Sequence, residues 1–475
     1  MRRNFYHNRR RLKLEQLESR QMLAGDVTVS VVGGDLFITG DNQFNVITLT
    51  ATGTAGEFVV SGSGTTINGG GVPVTATGVT GDVTIQLGDD YDSLTFDTNP
   101  AAINFAGDLS VDLGQGYPGW LAMHSLSVAG SNNFSVAGSL TVAAGFNTSI
   151  GLESAIIGGD LEIAMSSDLG NVSIDGGSVG GDLSISSTGH HNVTISTSVN
   201  GTIRALMGPG NLELVDCDVG GDFVTETTRN VVLTRARIDG HVVATFNDSA
   251  TIRTGFGAAS PQFNHVGGNF IVISNAGYAG IELEYLNVEH DLVVHGGAVG
   301  NDVRLNNVRA GNSLLIETGT GNDIVWVHNS SADGEAAILA GAGSDYVLVG
   351  NFLGAHSLFV DTAAGFDLVN VSYASFVENL YVWLGGDSDQ ATVYAASAYY
   401  LSVDAGSGYD TVAIQYSAAD HLFAGLGEGN DSLAVVGSLS RLSALLDGGA
   451  GNDLLSMSGN LLAGLVRQNF EAVGP

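Results

Sequence analysis

ETGTGND at residues 317–323, LAGAGSD at 339–345, DTAAGFD at 361–367, WLGGDSD at 383–389, DAGSGYD at 404–410, GLGEGND at 425–431 and DGGAGND at 447–453 are copies of one motif. Their closing residues, Asp323, Asp345, Asp367, Asp389, Asp410, Asp431 and Asp453, follow one another at 22, 22, 22, 21, 21 and 22 residues. A unit this small cannot bury its own apolar face, so a fixed period of this length predicts a solenoid of stacked units. The segment LSVDAGSGYDTVAI at 401–414 shows how one unit works. Leu401 and Val403 alternate with Ser402, as in a strand with one buried face. Gly406 and Gly408 allow a sharp turn through positive φ, Asp410 closes it, and Val412 and Ile414 resume the alternation. One unit is therefore strand, Gly-rich turn, strand and looser turn. The expected fold class is all-β, a right-handed parallel β-helix (β-solenoid) with coils of 19–22 residues, roughly seventeen coils and about 80 Å long at the strand spacing.

Stacking at roughly 4.8 Å brings the Gly-Asp turns of successive coils together along one edge. Ca²⁺ takes six to eight hard oxygens from carboxylates and turn carbonyls, so such an edge suits it. The metal candidates are Asp323, Asp345, Asp367, Asp410, Asp431 and Asp453, together with Asp361, Asp404 and Asp447, which stand six residues ahead of a closing aspartate in alternate coils. The competing reading is that these aspartates cap Gly turns through local hydrogen bonds to the backbone.

GGAGNDLLS at 448–456 resembles the G-G-x-G-x-D-x-U-x nonapeptide of the RTX, or haemolysin-type, calcium-binding β-roll, and GSGYDTVAI, GTGNDIVWV and GAGSDYVLV resemble it more loosely. The resemblance implies that Asp453, Asp410, Asp323 and Asp345 are Ca²⁺ ligands. The family's nonapeptides run in tandem, whereas about twelve residues separate the motifs of this chain.

The chain has 475 residues, 68 of them Gly, with 44% hydrophobic and 14% charged residues, a composition that folds and buries a core. Its formal charge is −33, but residues 1–20 carry a local excess of five positive charges and no lysine follows Lys13. The remainder is strongly acidic, which disfavours nucleic acid and anionic membranes as partners and favours cations. No apolar run approaches the length of a membrane span. With Cys217 as the single cysteine, no internal disulfide can form.

The first thirty residues lack the apolar core of an ordinary signal peptide. LESRQML at 17–23, followed by Ala24, Gly25 and Asp26, resembles the L-E-P-R-x-L-L segment of large exported planctomycete proteins, with Ser19 and Met22 in place of Pro and Leu. The resemblance implies a sorting or export address in residues 1–25 and an extracellular or cell-surface location. Residues 26–106 then read as an irregular N-terminal cap with the first coils, and 107–312 as coils of a second type. Residues 313–457 are the Gly/Asp coils, and 458–475 a C-terminal cap.

In GDLSVDLGQGYPGW at 107–120, Pro118 takes the aspartate's place, so that coil is expected to lack an ion site. In the second type of coil, Asp160, Asp182, Thr202, Asp222, His241, Asn269 and Asp291 share the frame of VGGDL, and Asn171, Asn192, Asn211 and Asn230 are expected to stack as an amide ladder. RTGFGAASPQFN at 253–264 is an insertion. Asp216 and Asp218 lie 19 residues before Arg235 and Arg237, so each acid should stack on an arginine. That arrangement resembles the exposed strand face of β-helix polysaccharide lyases and hydrolases, which would make these four residues catalytic; a ladder of cross-coil ion pairs is the alternative.

These observations lead to an exported structural or adhesive scaffold, stiffened by Ca²⁺, with cell-surface or matrix components, carbohydrate included, as partners. A carbohydrate-active enzyme is the alternative.

Overall fold

The structure, a computed structural model, describes residues 25–115, 124–166, 169–227, 229–255, 263–275, 277–354 and 356–474. Every regular element among them is a β-strand, and the strands stack into a β-solenoid of about 17 turns with coils about 22 residues apart. Pro118, residues 1–24 and residues 256–262 of the insertion lie outside the described residues.

A coil between Leu314 and Phe376 has three strands, and from Ser397 on the third runs on into the first of the next coil, as in Ser397–Asp404. A four- or five-residue strand such as Leu358–Asp361 precedes the Gly turn, a five-residue strand such as Leu368–Ser372 follows it, and a two-residue strand such as Ser375–Phe376 completes the circuit. Each pairs in parallel with its counterpart one coil away: Leu358 with Leu380, Leu368 with Gln390, Ser375 with Ser397. The alternation in sequence becomes an alternation of faces. Leu358, Val360, Val369 and Val371 are at most 1% exposed, and the residues between them point outward. Burial of such aliphatic side chains contributes about 1.5–3 kcal/mol each, and because every coil repeats the pattern the core runs the full length of the solenoid.

The irregular start is built differently from the stacked coils. Asp26–Val32 pairs antiparallel with Asp35–Thr39, and Val46–Ala51 with Glu57–Gly62, which pairs in turn with Val74–Thr77. Hairpins fold locally and cover the first coil, so no long strand edge is left open there. Beneath them Phe58, Phe96, Phe105 and Phe134 pack with ring centroids 5.0–6.0 Å apart.

Parallel register crosses residue 312 without interruption, since Leu292–His295 pairs with Leu314–Glu317 and Asp302–Ala310 with Ile324–His328. One backbone device also recurs in both halves. Asp216, Arg235, Tyr285, Asn307, Asn329, Asn351, Tyr373, Ala395 and Tyr416, all with φ between 48° and 56°, stand at a left-handed corner of successive coils. Limited proteolysis is therefore expected to yield one resistant body; two independently stable halves divided near residue 312 would contradict the shared register.

Candidate functional site: a buried aspartate column

The closing aspartates point inward. Asp323, Asp345, Asp367, Asp389, Asp410, Asp431 and Asp453 are 1–3% exposed, a position that charged residues avoid unless they are partnered. Glycine makes the turn possible. Gly341 and Gly343 adopt φ of 87° and 149°, and the turns bond to one another, Gly343 N to Ala364 O at 2.8 Å and Ala342 N to Gly319 O at 3.1 Å. Turn lies on turn, and each aspartate folds back beneath its own.

The carboxylates form a directed chain. The backbone N–H of Asp323 donates to Oδ1 of Asp345 at 2.8 Å, and the same bond at the same distance links Asp345 to Asp367, Asp367 to Asp389, Asp389 to Asp410, Asp410 to Asp431 and Asp431 to Asp453. Two residues that sequence reasoning passed over close the ends. Asn301 donates its backbone N–H and its Nδ2 to Asp323 Oδ1 at 2.5 and 2.9 Å, and Asp453 N donates to Glu471 Oε2 at 2.6 Å. Asn301 could have been found from its position 22 residues before Asp323. Glu471, 18 residues after Asp453, breaks the period and gave no signal.

In all seven aspartates the second oxygen, Oδ2, is buried with no hydrogen-bond partner. Leaving a charged oxygen in that state is costly. Burial accordingly pushes the carboxyl of Asp345 up to about 7, of Asp389 to about 7 and of Asp410 to about 6, against the amide bond that each accepts; Asp323, Asp367 and Asp431 are also raised by burial. Neighbouring carboxylates add to the rise at Asp345 and Asp389. The column can hold protons or cations, and both would relieve the same penalty. Asp92 occupies the equivalent place in the N-terminal region: its Oδ1 takes Asn45 N at 2.8 Å, its Oδ2 is unpartnered, and burial raises it to about 8.

The acids six residues earlier form no part of this column. Asp361, Asp404 and Asp447 sit at the surface end of the strand before the turn, Asp361 and Asp447 bonding Ala363 N and Gly449 N two residues on. These bonds are the local caps that the competing reading described. The structure therefore separates the nine sequence candidates: Asp323, Asp345, Asp367, Asp410, Asp431 and Asp453 share one column, joined by Asp389, and the other three stand outside it.

The N-terminal half carries a second ladder of opposite sense. Asp35, Asp82, Asp108, Ser139, Asp160, Asp182, Thr202, Asp222, His241, Asn269 and Asp291 each accept, through a side-chain atom, the backbone N–H of the next coil at 2.7–3.3 Å. The residues differ in type but each offers an acceptor at one height, which is why the VGGDL frame tolerates Thr, His and Asn. Outside it, Asn192, Asn211 and Asn230 each donate Nδ2 to the preceding Asn of the expected amide ladder, at 3.3, 2.7 and 2.7 Å.

Arg235 stacks on Asp216 as the spacing implied, its Nε and Nη2 holding both carboxylate oxygens at 2.5 and 2.6 Å. That pairing holds the Asp216 carboxyl below its usual range. Arg237 is in register with Asp218, yet its Nε bonds Asp239 of its own coil at 2.9 Å. Asp218, Arg237 and Asp239 line a shallow open depression with Ser198 and Asn200. Elsewhere on the surface, Glu335, His356 and Glu378 of three successive coils bring their ligand atoms within 4.8 Å of one another. Cys217 is buried with its thiol on Ile195 O at 2.9 Å, and burial raises it to about 11.

Among the described residues no helix is long and apolar enough to cross a membrane. No curated protein and no solved structure matches the chain. A family model described as Planctomycete extracellular matches residues 8–27, and this similarity supports reading the chain as an exported protein of planctomycete type.

Proposed function

We propose that the protein is an exported scaffold, structural or adhesive, displayed at the cell surface or released, whose C-terminal coils take up Ca²⁺ along the aspartate column. The observation that carries the calcium reading is the row of seven buried, unpartnered Oδ2 atoms beside stacked Gly turns. Carboxylate and turn-carbonyl oxygens are the hard donors that Ca²⁺ prefers. Asp323, Asp345, Asp367, Asp389, Asp410, Asp431 and Asp453 would hold the ions. Bound cations would cancel the repulsion of stacked carboxylates and tie each coil to the next, which suits a rod that bears load. A ligand that binds only the folded chain stabilises it by about 2.7 kcal/mol at a hundredfold excess over Kd.

The test is thermal unfolding at pH 8 in millimolar Ca²⁺ against chelator, at matched ionic strength. The melting temperature should rise by several degrees with Ca²⁺ and by much less with Mg²⁺ or Na⁺. Equal shifts with all three ions would leave Asp323 through Asp453 as turn caps and remove the calcium reading. The enzyme alternative would require Asp218 and Arg237 to act in their depression; release of reducing ends from a polysaccharide that is abolished by Arg237→Ala would establish it.

A further inference from the structure

The outward face of the strand that precedes the Gly turn carries rings where a solvated sheet face ordinarily carries polar residues. Tyr381, Tyr399 and Tyr400 lie on it, with Phe359, Trp383 and Phe423. Leu358, Val360, Leu380, Val382, Leu401 and Val403 fill the inner face at 0–1% exposure, so the rings opposite them contribute little to the core. Phe359 stands in register with Tyr381, and Asp361 with Trp383 and then Asp404. Phe359 and Trp383 pack edge to face with centroids 4.6 Å apart. On the next two strands of the wall, Tyr400, in register with Asn379 on one side and His421 on the other, stacks on His421 at 4.4 Å, with Tyr399 edge-on to both. Trp383, Tyr399 and Tyr400 remain 47%, 44% and 42% exposed. Packing ring against ring fixes their orientation, so little side-chain freedom is left to lose on binding.

We infer that this aromatic plaque is a binding surface for an uncharged, extended polysaccharide. An exposed cluster of Tyr and Trp rimmed by polar groups marks a recognition site, and charge decides the occupant. Asp361, Asp404 and Glu378 border the rings and the chain carries −33 overall, so anionic polymers and acidic surfaces are repelled. A second copy of the chain would set acidic rim against acidic rim. A neutral sugar polymer meets none of these penalties: its C–H faces lie on the rings, and its hydroxyls donate to the bordering carboxylates. Phe359, then Tyr381 and Trp383, then Tyr399 and Tyr400, then His421 and Phe423 lie on four successive coils, so a polymer running across the coils meets a ring on each, and the contacts reinforce one another. This inference gives the scaffold reading a partner and does not depend on calcium, because the plaque and the aspartate column occupy opposite sides of the strand wall.

The experiment is affinity electrophoresis of the full chain through gels containing hydroxyethyl cellulose, galactomannan or polygalacturonate, with sedimentation as a check on self-association. Retardation is expected in at least one uncharged polymer and not in polygalacturonate. Trp383→Ala combined with Tyr400→Ala should weaken the retardation about tenfold or more without altering the Ca²⁺-dependent melting shift. Tyr416→Ala, which removes an exposed ring on a different face, should leave it unchanged. Failure of all uncharged polymers to retard the chain would overturn the inference, as would preference for polygalacturonate or equal loss on Tyr416→Ala. Sedimentation as a dimer that Trp383→Ala dissociates would instead assign the plaque to a second copy. None of these outcomes bears on the calcium shift, so the two readings fail separately.

Discussion

Replacing Gly343 by Ala is expected to destabilise the C-terminal coils by more than about 4 kcal/mol, a loss of the size reserved for backbone clashes and buried unpartnered groups. A Cβ at this position would stand 1.6 Å from the carbonyl oxygen and 2.4 Å from the carbonyl carbon of Gly321 in the preceding coil, at a φ of 149° that L side chains rarely adopt. Neither atom can withdraw, because both belong to a turn backbone bonded to its neighbours on each side. Since a solenoid is stabilised chiefly by nearest-neighbour contacts, the damage should concentrate in the coils around residues 321–365. Urea unfolding and the appearance of a protease-sensitive turn there would record it. Gly71, where a Cβ meets nothing within 4 Å, provides the control, and Gly71→Ala should change stability by less than about 0.5 kcal/mol. Similar behaviour of the two variants would mean that the turns are not in van der Waals contact.

The second large effect follows from protons. Carboxyls of Asp345, Asp389 and Asp410 raised to about 7, 7 and 6 keep their protons in the folded chain at pH values where the unfolded chain, near its ordinary value of 3.8, has released them. The folded state then binds more protons than the unfolded state, so stability falls as pH rises. In chelator the contribution of these groups to stability should be complete below about pH 4, decline as pH rises towards 7, and level off above the folded values. Each unit of displacement is worth about 1.4 kcal/mol, so the decline should amount to several kcal/mol over the column. Calcium competes with these protons; its stabilisation should be largest near pH 8 and vanish towards pH 5. Asp389→Asn keeps an Oδ1 acceptor for the Asp367 amide and removes one titrating group, so the decline should become shallower and part of the calcium gain should disappear. Asp389→Ala strands that amide and should cost about 1–3 kcal/mol at every pH. A melting temperature that is flat from pH 5 to 8 in chelator would show that the column is neither charged nor charging in this range.

The architecture was legible because its cause is periodic. A strand face that must be buried, a turn that only glycine permits and a fixed number of residues between turns leave stacking as the one arrangement that satisfies every unit, and Leu401, Val403, Gly406, Gly408 and Asp410 state all three conditions in ten residues. The seven closing aspartates were visible in the period, but the metal candidates omitted Asp389 and included Asp361, Asp404 and Asp447, because the direction of each carboxylate was not legible. An aspartate at the end of a Gly turn reads the same whether its carboxylate faces solvent or folds beneath the turn, and only the three-dimensional path separates the buried Asp367 from the surface Asp361 of the same motif. The hairpins of the first eighty residues were read as poor periodicity because an antiparallel pair and a weak coil share the same alternation. The left-handed corner escaped notice for a different reason. Asn329, Asn351, Tyr373, Ala395 and Tyr416 have the backbone angle in common and no chemical type, so the constraint imposed from one coil to the next leaves no compositional trace.

The two ladders also differ in timing. In the N-terminal half a coil carries the acceptor for the amide of the coil that follows, so a newly made coil finds its partner already in place. Beyond Asn301 the order reverses: the amide of Asp323 waits for the carboxylate of Asp345, that of Asp345 for Asp367, and the last, at Asp453, for Glu471. A chain that folds from its N-terminus can therefore set its first half coil by coil, while its second half always trails one unfinished turn. Completion of that half falls to Glu471, which takes the last amide of the column.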